Sequence, residues 1–220
     1  MTLDDVLVKS AVGLGLVVIS AALWWVFAPP LNAPLYLVGW GASALVSVAL
    51  TIVAAVKRTV PAPLVMLFAV AQGVLVGALS EVFEAQYQGI VMQAVLGTFA
   101  ASIVTLAAYK IFNIRVTDRF RKIVFLSTAA FAGLMLVNFI VSVFIPGGLG
   151  LRSGGAIGLL FAAVGVVLGV LNLVMDFDMI ERGIQSGAPA SQAWRAALGV
   201  TLTVVWLYVE ILRLLGALRR

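Results

Sequence analysis

Seven apolar runs follow one another along this chain, and short polar turns separate them. Each run is about 20 residues long, the length that an α-helix needs to cross the hydrocarbon core of a bilayer. The turns leave no room for a separate soluble domain. The pattern therefore predicts an all-α membrane protein, a single seven-transmembrane-helix bundle formed by residues 1–220. The predicted helices cover roughly residues 7–28, 35–56, 62–83, 90–112, 122–144, 156–180 and 194–218.

The amino-acid composition supports a membrane protein and narrows its chemistry. Hydrophobic residues make up 63% of the 220 residues and charged residues only 10%, whereas soluble proteins carry about 25% charged residues. The chain has no cysteine and no histidine. This excludes a disulfide framework, a thiolate metal site and imidazole-ligated zinc, copper or haem. The net charge of +5 indicates contact with anionic lipid headgroups rather than with nucleic acid.

The sixth apolar run ends in acidic residues, which are energetically costly to place in lipid. A carboxylate at membrane depth costs roughly 3 kcal/mol on insertion scales, so such groups normally face other helices or a water-filled cavity. Asp176 and Asp178 are two residues apart and therefore point to roughly opposite sides of a helix. Asp178 has Arg182 four residues on, which predicts an ion pair at the helix end. Asp176 has no such neighbour, so we expect its partner to come from another helix or from a bound ion.

The seventh run also carries charge. Glu210 and Arg213 are three residues apart, so they can pair with each other on one helix face. The alternative is that Glu210 faces the central cavity of the bundle. Pairs of glycines at four-residue spacing predict close helix packing in the third and sixth helices; they are Gly73 with Gly77 and Gly165 with Gly169.

The third helix ends in a group of polar residues. Glu81 continues the face of Gly73 and Gly77, and Glu84, Gln86 and Gln88 follow it. The simplest interpretation is a solvated acidic rim at the membrane surface, and the alternative is a vestibule that collects ions.

Basic residues orient the molecule, because cytoplasmic loops carry an excess of Lys and Arg. The densest basic segment is the connection from Lys110 to Lys122. Ten Lys and Arg residues fall on its side of the membrane and four on the other, which predicts a cytoplasmic N-terminus and an external C-terminus. The second and sixth helices then end on the same side. Arg58, or less favourably Lys57, becomes the candidate partner of Asp176, since the guanidinium fork suits a carboxylate.

Several segments together resemble the Bax inhibitor-1 family, specifically its bacterial YetJ- and YccA-like branch. They are Leu67–Gly73 in the third helix, Gln93–Phe99 in the fourth, Asp176 followed by Ile180 in the sixth, and Leu212–Gly216 at the end. The resemblance implies a pH-sensitive calcium leak across a membrane. In that family a carboxylate on the sixth helix pairs with one on the seventh, near a basic residue that ends the second, and this latch closes the pore. Asp176 matches the sixth-helix position, and Arg58 approximately matches the basic one.

The seventh-helix carboxylate is where this sequence departs from the family. Aligned on the closing Leu212–Gly216 segment, the family's aspartate falls on Thr203; aligned on Leu207–Glu210, it falls on Glu210. We prefer the first alignment, because it keeps the helix length and the ending together. Two close carboxylates titrate as one unit. With Thr203 in place of one of them, we expect a weaker pH response, or one that Glu210 supplies.

Calcium is the expected permeant ion, and no tightly bound cofactor is expected. Calcium takes several oxygen ligands, which Asp176 and Glu210 could offer in a transient site. The gating residues implied are Asp176, Arg58, Thr203, Asp178 and Glu210.

Three further function classes come into consideration, and one of them, a proton-coupled transporter, stays open although the sequence shows no inverted repeat. Another is a non-conducting regulator that binds a membrane protease or another membrane partner. An intramembrane enzyme is not expected, because a zinc-binding histidine pair is absent and the seventh helix has no aspartate to complete a diaspartyl pair. We expect an integral protein of a bacterial plasma membrane whose partners are the lipid bilayer and calcium ions or protons.

Overall fold

Seven α-helices account for nearly all of the chain that the structure, a computed structural model, describes: residues 1–57, 59–112, 114, 116–151 and 155–219. Within these ranges there is no β-strand, and all seven helices are long and apolar enough to cross a membrane. The all-α membrane fold predicted from the apolar runs is therefore confirmed. The helices are α1 (Leu3–Phe27), α2 (Pro34–Val56), α3 (Ala62–Gln86), α4 (Ile90–Ile111), α5 (Asp118–Phe144), α6 (Ala156–Gln185) and α7 (Gln192–Leu218).

The helix ends differ from the predicted ones mainly where charged residues extend a helix beyond its apolar run. α5 begins at Asp118 rather than at residue 122, because the Thr117 hydroxyl accepts a hydrogen bond from the Phe120 amide at 3.2 Å and caps the helix. α6 continues to Gln185 rather than ending near residue 180. An apolar run marks only the part of a helix that lipid surrounds. Polar turns at either end of the helix are not included in the run.

The described residues group into two compact units. The first unit contains Met1–Gln88 and Met179–Val205, and the second contains Gly89–Asp178 and Trp206–Arg220. α6 and α7 each contribute a part to both units. The prediction of one domain over residues 1–220 stays a prediction.

Close glycine packing organises the first unit, in which α3 packs against both α1 and α2. A Cβ atom added at Gly73 would overlap the Ser20 hydroxyl and the Val17 carbonyl of α1. A Cβ atom at Gly77 would lie 2.8 Å from the Ala21 carbonyl oxygen. The predicted packing role of these two glycines is confirmed.

The end of α2 is held from α7 within the same unit. Arg195, near the start of α7, donates hydrogen bonds to the carbonyls of Ala54 and Lys57. Both carbonyls belong to the last turn of α2, and the last carbonyls of an α-helix lack partners within the helix. A cationic side chain at a helix C-terminus also complements the helix dipole. Arg195 therefore caps α2.

The second unit uses the other pair of glycines. A Cβ atom added at Gly165 would lie 2.7 Å from the Glu210 carboxylate, and one at Gly169 would lie 3.1 Å from the Leu207 side chain. α6 thus approaches α7 closely along these glycines, as predicted.

Candidate functional site on the sixth helix

The acidic residues of α6 lie where an apolar membrane-length helix becomes polar. Asp178 is buried, with 7% of its surface exposed. Asp176 is half-buried, and its Oδ2 atom is inaccessible to solvent. Both carboxylates are therefore directed at least partly into the protein, which agrees with the high cost of placing a carboxylate in lipid.

Asp178 pairs with a residue that the sequence did not indicate. Its Oδ2 accepts a hydrogen bond from Nη2 of Arg121, on α5, at 3.0 Å. The exposed Asp118 lies 4.0 Å from the same guanidinium. The sequence predicts Arg121 in the connection before α5, but α5 begins at Asp118 and places Arg121 on the helix face that meets α6. The pairing of Asp178 with Arg182 stays a prediction.

A second polar contact joins the same two helices. The Asn172 side-chain amide donates to the Thr128 hydroxyl of α5 and to the Leu168 carbonyl, each at 2.8 Å. Thr128 and Arg121 are seven residues apart, which places them on one face of α5. α5 therefore offers α6 two polar groups on one side. The seven-residue spacing is present in the sequence. It predicts a shared helix face only if α5 already includes residue 121.

Asp176 lies one helical turn beyond Asn172, as its position in the sequence requires. Its predicted basic partner, Arg58, lies outside the described residues. Thr203, the predicted counterpart of the family's second carboxylate, is buried in the first unit with 5% of its surface exposed. Asp176 itself belongs to the second unit.

Glu210 pairs with Arg213 on α7, with Nη1 of Arg213 donating to Oε1 of Glu210 at 3.1 Å. Only 4% of the Glu210 surface is exposed. The glycine at position 165 makes room for this carboxylate, because a side chain there would occupy its place. The predicted pairing of Glu210 with Arg213 is confirmed, and its role at a central cavity stays a prediction.

The polar end of α3 is less solvated than expected. Gln86 and Gln88 are exposed, as a rim requires. Glu81 differs from them, because its Oε2 is inaccessible to solvent and its side chain interacts with Tyr36 of α2. Tyr36 is itself buried, and its hydroxyl donates to the Ala78 carbonyl of α3 at 2.7 Å. The solvated-rim interpretation is therefore wrong for Glu81.

Metal ligands were predicted only as a transient set. No group of three or more Asp, Glu, His or Cys side chains that could hold a metal ion occurs in the part of the chain that the structure describes. Asp176 and Glu210 stay predicted as ligands that calcium contacts in passing.

The whole chain, residues 1–220, matches the model of the family described as Bax inhibitor 1 like. A search of curated proteins finds no significant match. The family match spans all seven helices and the α6 carboxylates, and no part of the chain lies outside it. This chain is a membrane protein that belongs to the Bax inhibitor 1 like family.

Proposed function

We propose that this protein is a pH-sensitive calcium leak channel in which Asp176 is the central carboxylate. The observation that supports this proposal most directly is the shielded Oδ2 of Asp176 within a membrane-length helix. A carboxylate within the membrane is costly, and ionisable groups in transmembrane helices commonly mark ion pathways. The neighbouring acid, Asp178, forms an ion pair with Arg121 of α5.

The gate that we propose has a basic and a polar component besides Asp176. Arg58 at the end of helix two is the proposed cationic partner, and Thr203 takes the position of the family's second carboxylate. Calcium would meet Asp176 and Glu210 as transient oxygen ligands. A hard cation that needs several oxygens passes more readily through weak successive contacts than through a tight cage.

The proposed setting is a bacterial plasma membrane, with the N-terminus in the cytoplasm and the C-terminus outside. The basic residues support this orientation, because ten of fourteen fall on one side of the predicted topology. We also propose that the chain belongs to the YetJ- and YccA-like branch of its family, on the motifs given above.

Asp176→Asn is expected to lower calcium flux into proteoliposomes at pH 7 by about tenfold, which is 1.4 kcal/mol in the barrier. The amide keeps the shape of the side chain and removes the negative charge that attracts a cation. Flux is measured with a calcium-sensitive dye trapped in the vesicles. Asp118→Asn removes the same charge from an exposed position and is expected to leave the flux unchanged.

Three results would count against this proposal. Unchanged flux in an Asp176→Asn variant with an unaltered melting temperature would remove Asp176 from the pathway. An equal fall in Asp118→Asn would assign the effect to surface charge. An absence of calcium flux with the unmodified protein would favour the non-conducting regulator of a membrane partner.

The pH response of the leak is expected to be shallow between pH 6 and pH 8, because Thr203 cannot share a proton with Asp176 as a carboxylate would. Any response that is present is expected to become flatter in Glu210→Gln, since Glu210 is the remaining buried acid on α7. Flux in vesicles at a series of pH values measures both effects. A steep dependence that persists in Glu210→Gln would contradict this assignment.

A further inference from the structure

The structure describes four cations of the basic segment between Lys110 and Lys122, one directed inward and three outward; Arg115 lies outside the described residues. Arg121 turns toward α6 and binds Asp178. Lys110, Arg119 and Lys122 are exposed, and within the described ranges none of their three side chains has a hydrogen bond or an ion pair. We call these three residues the basic patch.

An apolar cluster fixes the backbone that carries the basic patch. Tyr109 and Val116 are buried together with Val174 of α6, and Phe120 packs against them. The Ile114 amide donates to the Tyr109 carbonyl at 3.2 Å, which holds Ile114 against the end of α4. Lys110 follows Tyr109, and Arg119 precedes Phe120, so both cations lie at the same end of this unit. Lys122 shares a helix face with Arg119, three residues before it.

Exposed apolar side chains border the basic patch. Ile111 and Phe112 are 74% and 75% exposed, and Ile123 is 57% exposed. They belong to or directly follow helices of membrane-spanning length. Cations beside apolar side chains at a helix end are typical of the membrane interface, where the apolar groups enter the acyl region and the cations reach the headgroups.

We propose that the basic patch binds the headgroup phosphate of anionic phospholipid, with phosphatidylglycerol as the simplest such lipid. The cations supply charge complementarity, and the bordering apolar side chains supply contact with the acyl chains. Asp118 is the acidic residue within this stretch, and its side chain is 88% exposed and directed at Arg121. It therefore leaves the three cations available. Each cation near a membrane surface contributes about a fivefold gain in affinity for anionic lipid.

Native mass spectrometry of the detergent-solubilised protein tests this proposal. The protein is incubated with an equimolar mixture of phosphatidylglycerol and phosphatidylcholine, and the retained lipids are counted. We expect preferential retention of phosphatidylglycerol, and a loss of that preference by at least about tenfold in Lys110→Gln/Arg119→Gln/Lys122→Gln. The charge-conserving Lys110→Arg/Arg119→Lys/Lys122→Arg variant is expected to keep it.

A charge-matched control separates a defined surface from general attraction. Lys57→Gln/Arg182→Gln/Arg219→Gln removes three cations elsewhere and is expected to retain phosphatidylglycerol normally. Equal loss in this control, or no loss in the basic-patch variant, would overturn the proposal. Displacement of the lipid by an equal concentration of glycerol phosphate would also overturn it, because the patch would then be a site for a soluble phosphate.

Discussion

Gly73→Ala is expected to lower the free energy of unfolding by about 3 kcal/mol or more, at the upper end of the cost of overpacking a core. The added methyl group would overlap the Ser20 hydroxyl and the backbone carbonyl of Val17. A hydroxyl can rotate away, but a carbonyl within α1 cannot. α1 and α3 would have to move apart and lose contacts along their length. Thermal or denaturant unfolding in detergent micelles measures the loss.

Two glycines in open surroundings provide matched controls for this substitution. Gly15 on α1 and Gly41 on α2 have no atom within 4 Å of an added Cβ. Alanine at either position is expected to be neutral or to stabilise by up to about 1 kcal/mol, because glycine is the poorer helix former. A melting temperature for Gly73→Ala equal to that of Gly15→Ala would show that α1 and α3 are not packed as described.

Arg121→Met is expected to destabilise the protein by about 2 kcal/mol, because it removes the charge-assisted hydrogen bond to the buried Asp178. The value lies below the 3–5 kcal/mol typical of a broken buried pair, since the Arg121 side chain is 42% exposed. Methionine keeps the unbranched shape and the packing of the arginine stem. Unfolding of the variant in detergent, compared with the unmodified protein, gives the difference.

A double-mutant cycle isolates this pair. Arg121→Met combined with Asp178→Asn is expected to be less destabilised than the sum of the two single variants, with a coupling energy of about 1–2 kcal/mol. Asp118→Asn is expected to cost at most about 1 kcal/mol, as exposed pairs do. Additive effects of Arg121→Met and Asp178→Asn would mean that the ion pair contributes nothing to stability.

The helices and their close contacts were predictable from the sequence because a lipid environment restricts which residues a membrane helix can carry. A membrane-crossing helix must be apolar along its length, so the runs give the helices directly. Glycines at four-residue spacing let another helix approach closely, and Gly73 and Gly165 both meet one. The Glu210–Arg213 pair is local to one helix, so its spacing alone predicted it correctly.

The partners of buried polar groups were much less predictable, because they come from distant parts of the chain. Asp178 had a plausible local partner in Arg182, and nothing in its own helix pointed to Arg121, 57 residues away. Glu81 looked like a surface residue because it lies near the end of an apolar run. Its surroundings depend on Tyr36 from another helix. Polar residues near a membrane surface can point to solvent or to the protein interior. The neighbouring helices determine which of the two occurs.

The cap that Arg195 places on α2 has a mechanical consequence. The final turn of α2 cannot unwind without breaking the hydrogen bonds that Arg195 of α7 donates. The end of α2 and the start of α7 are therefore mechanically coupled. A tilt at the start of α7 would carry the backbone of Lys57 with it. Arg195 thus links the end of α2 to a helix that lies 138 residues later in the chain.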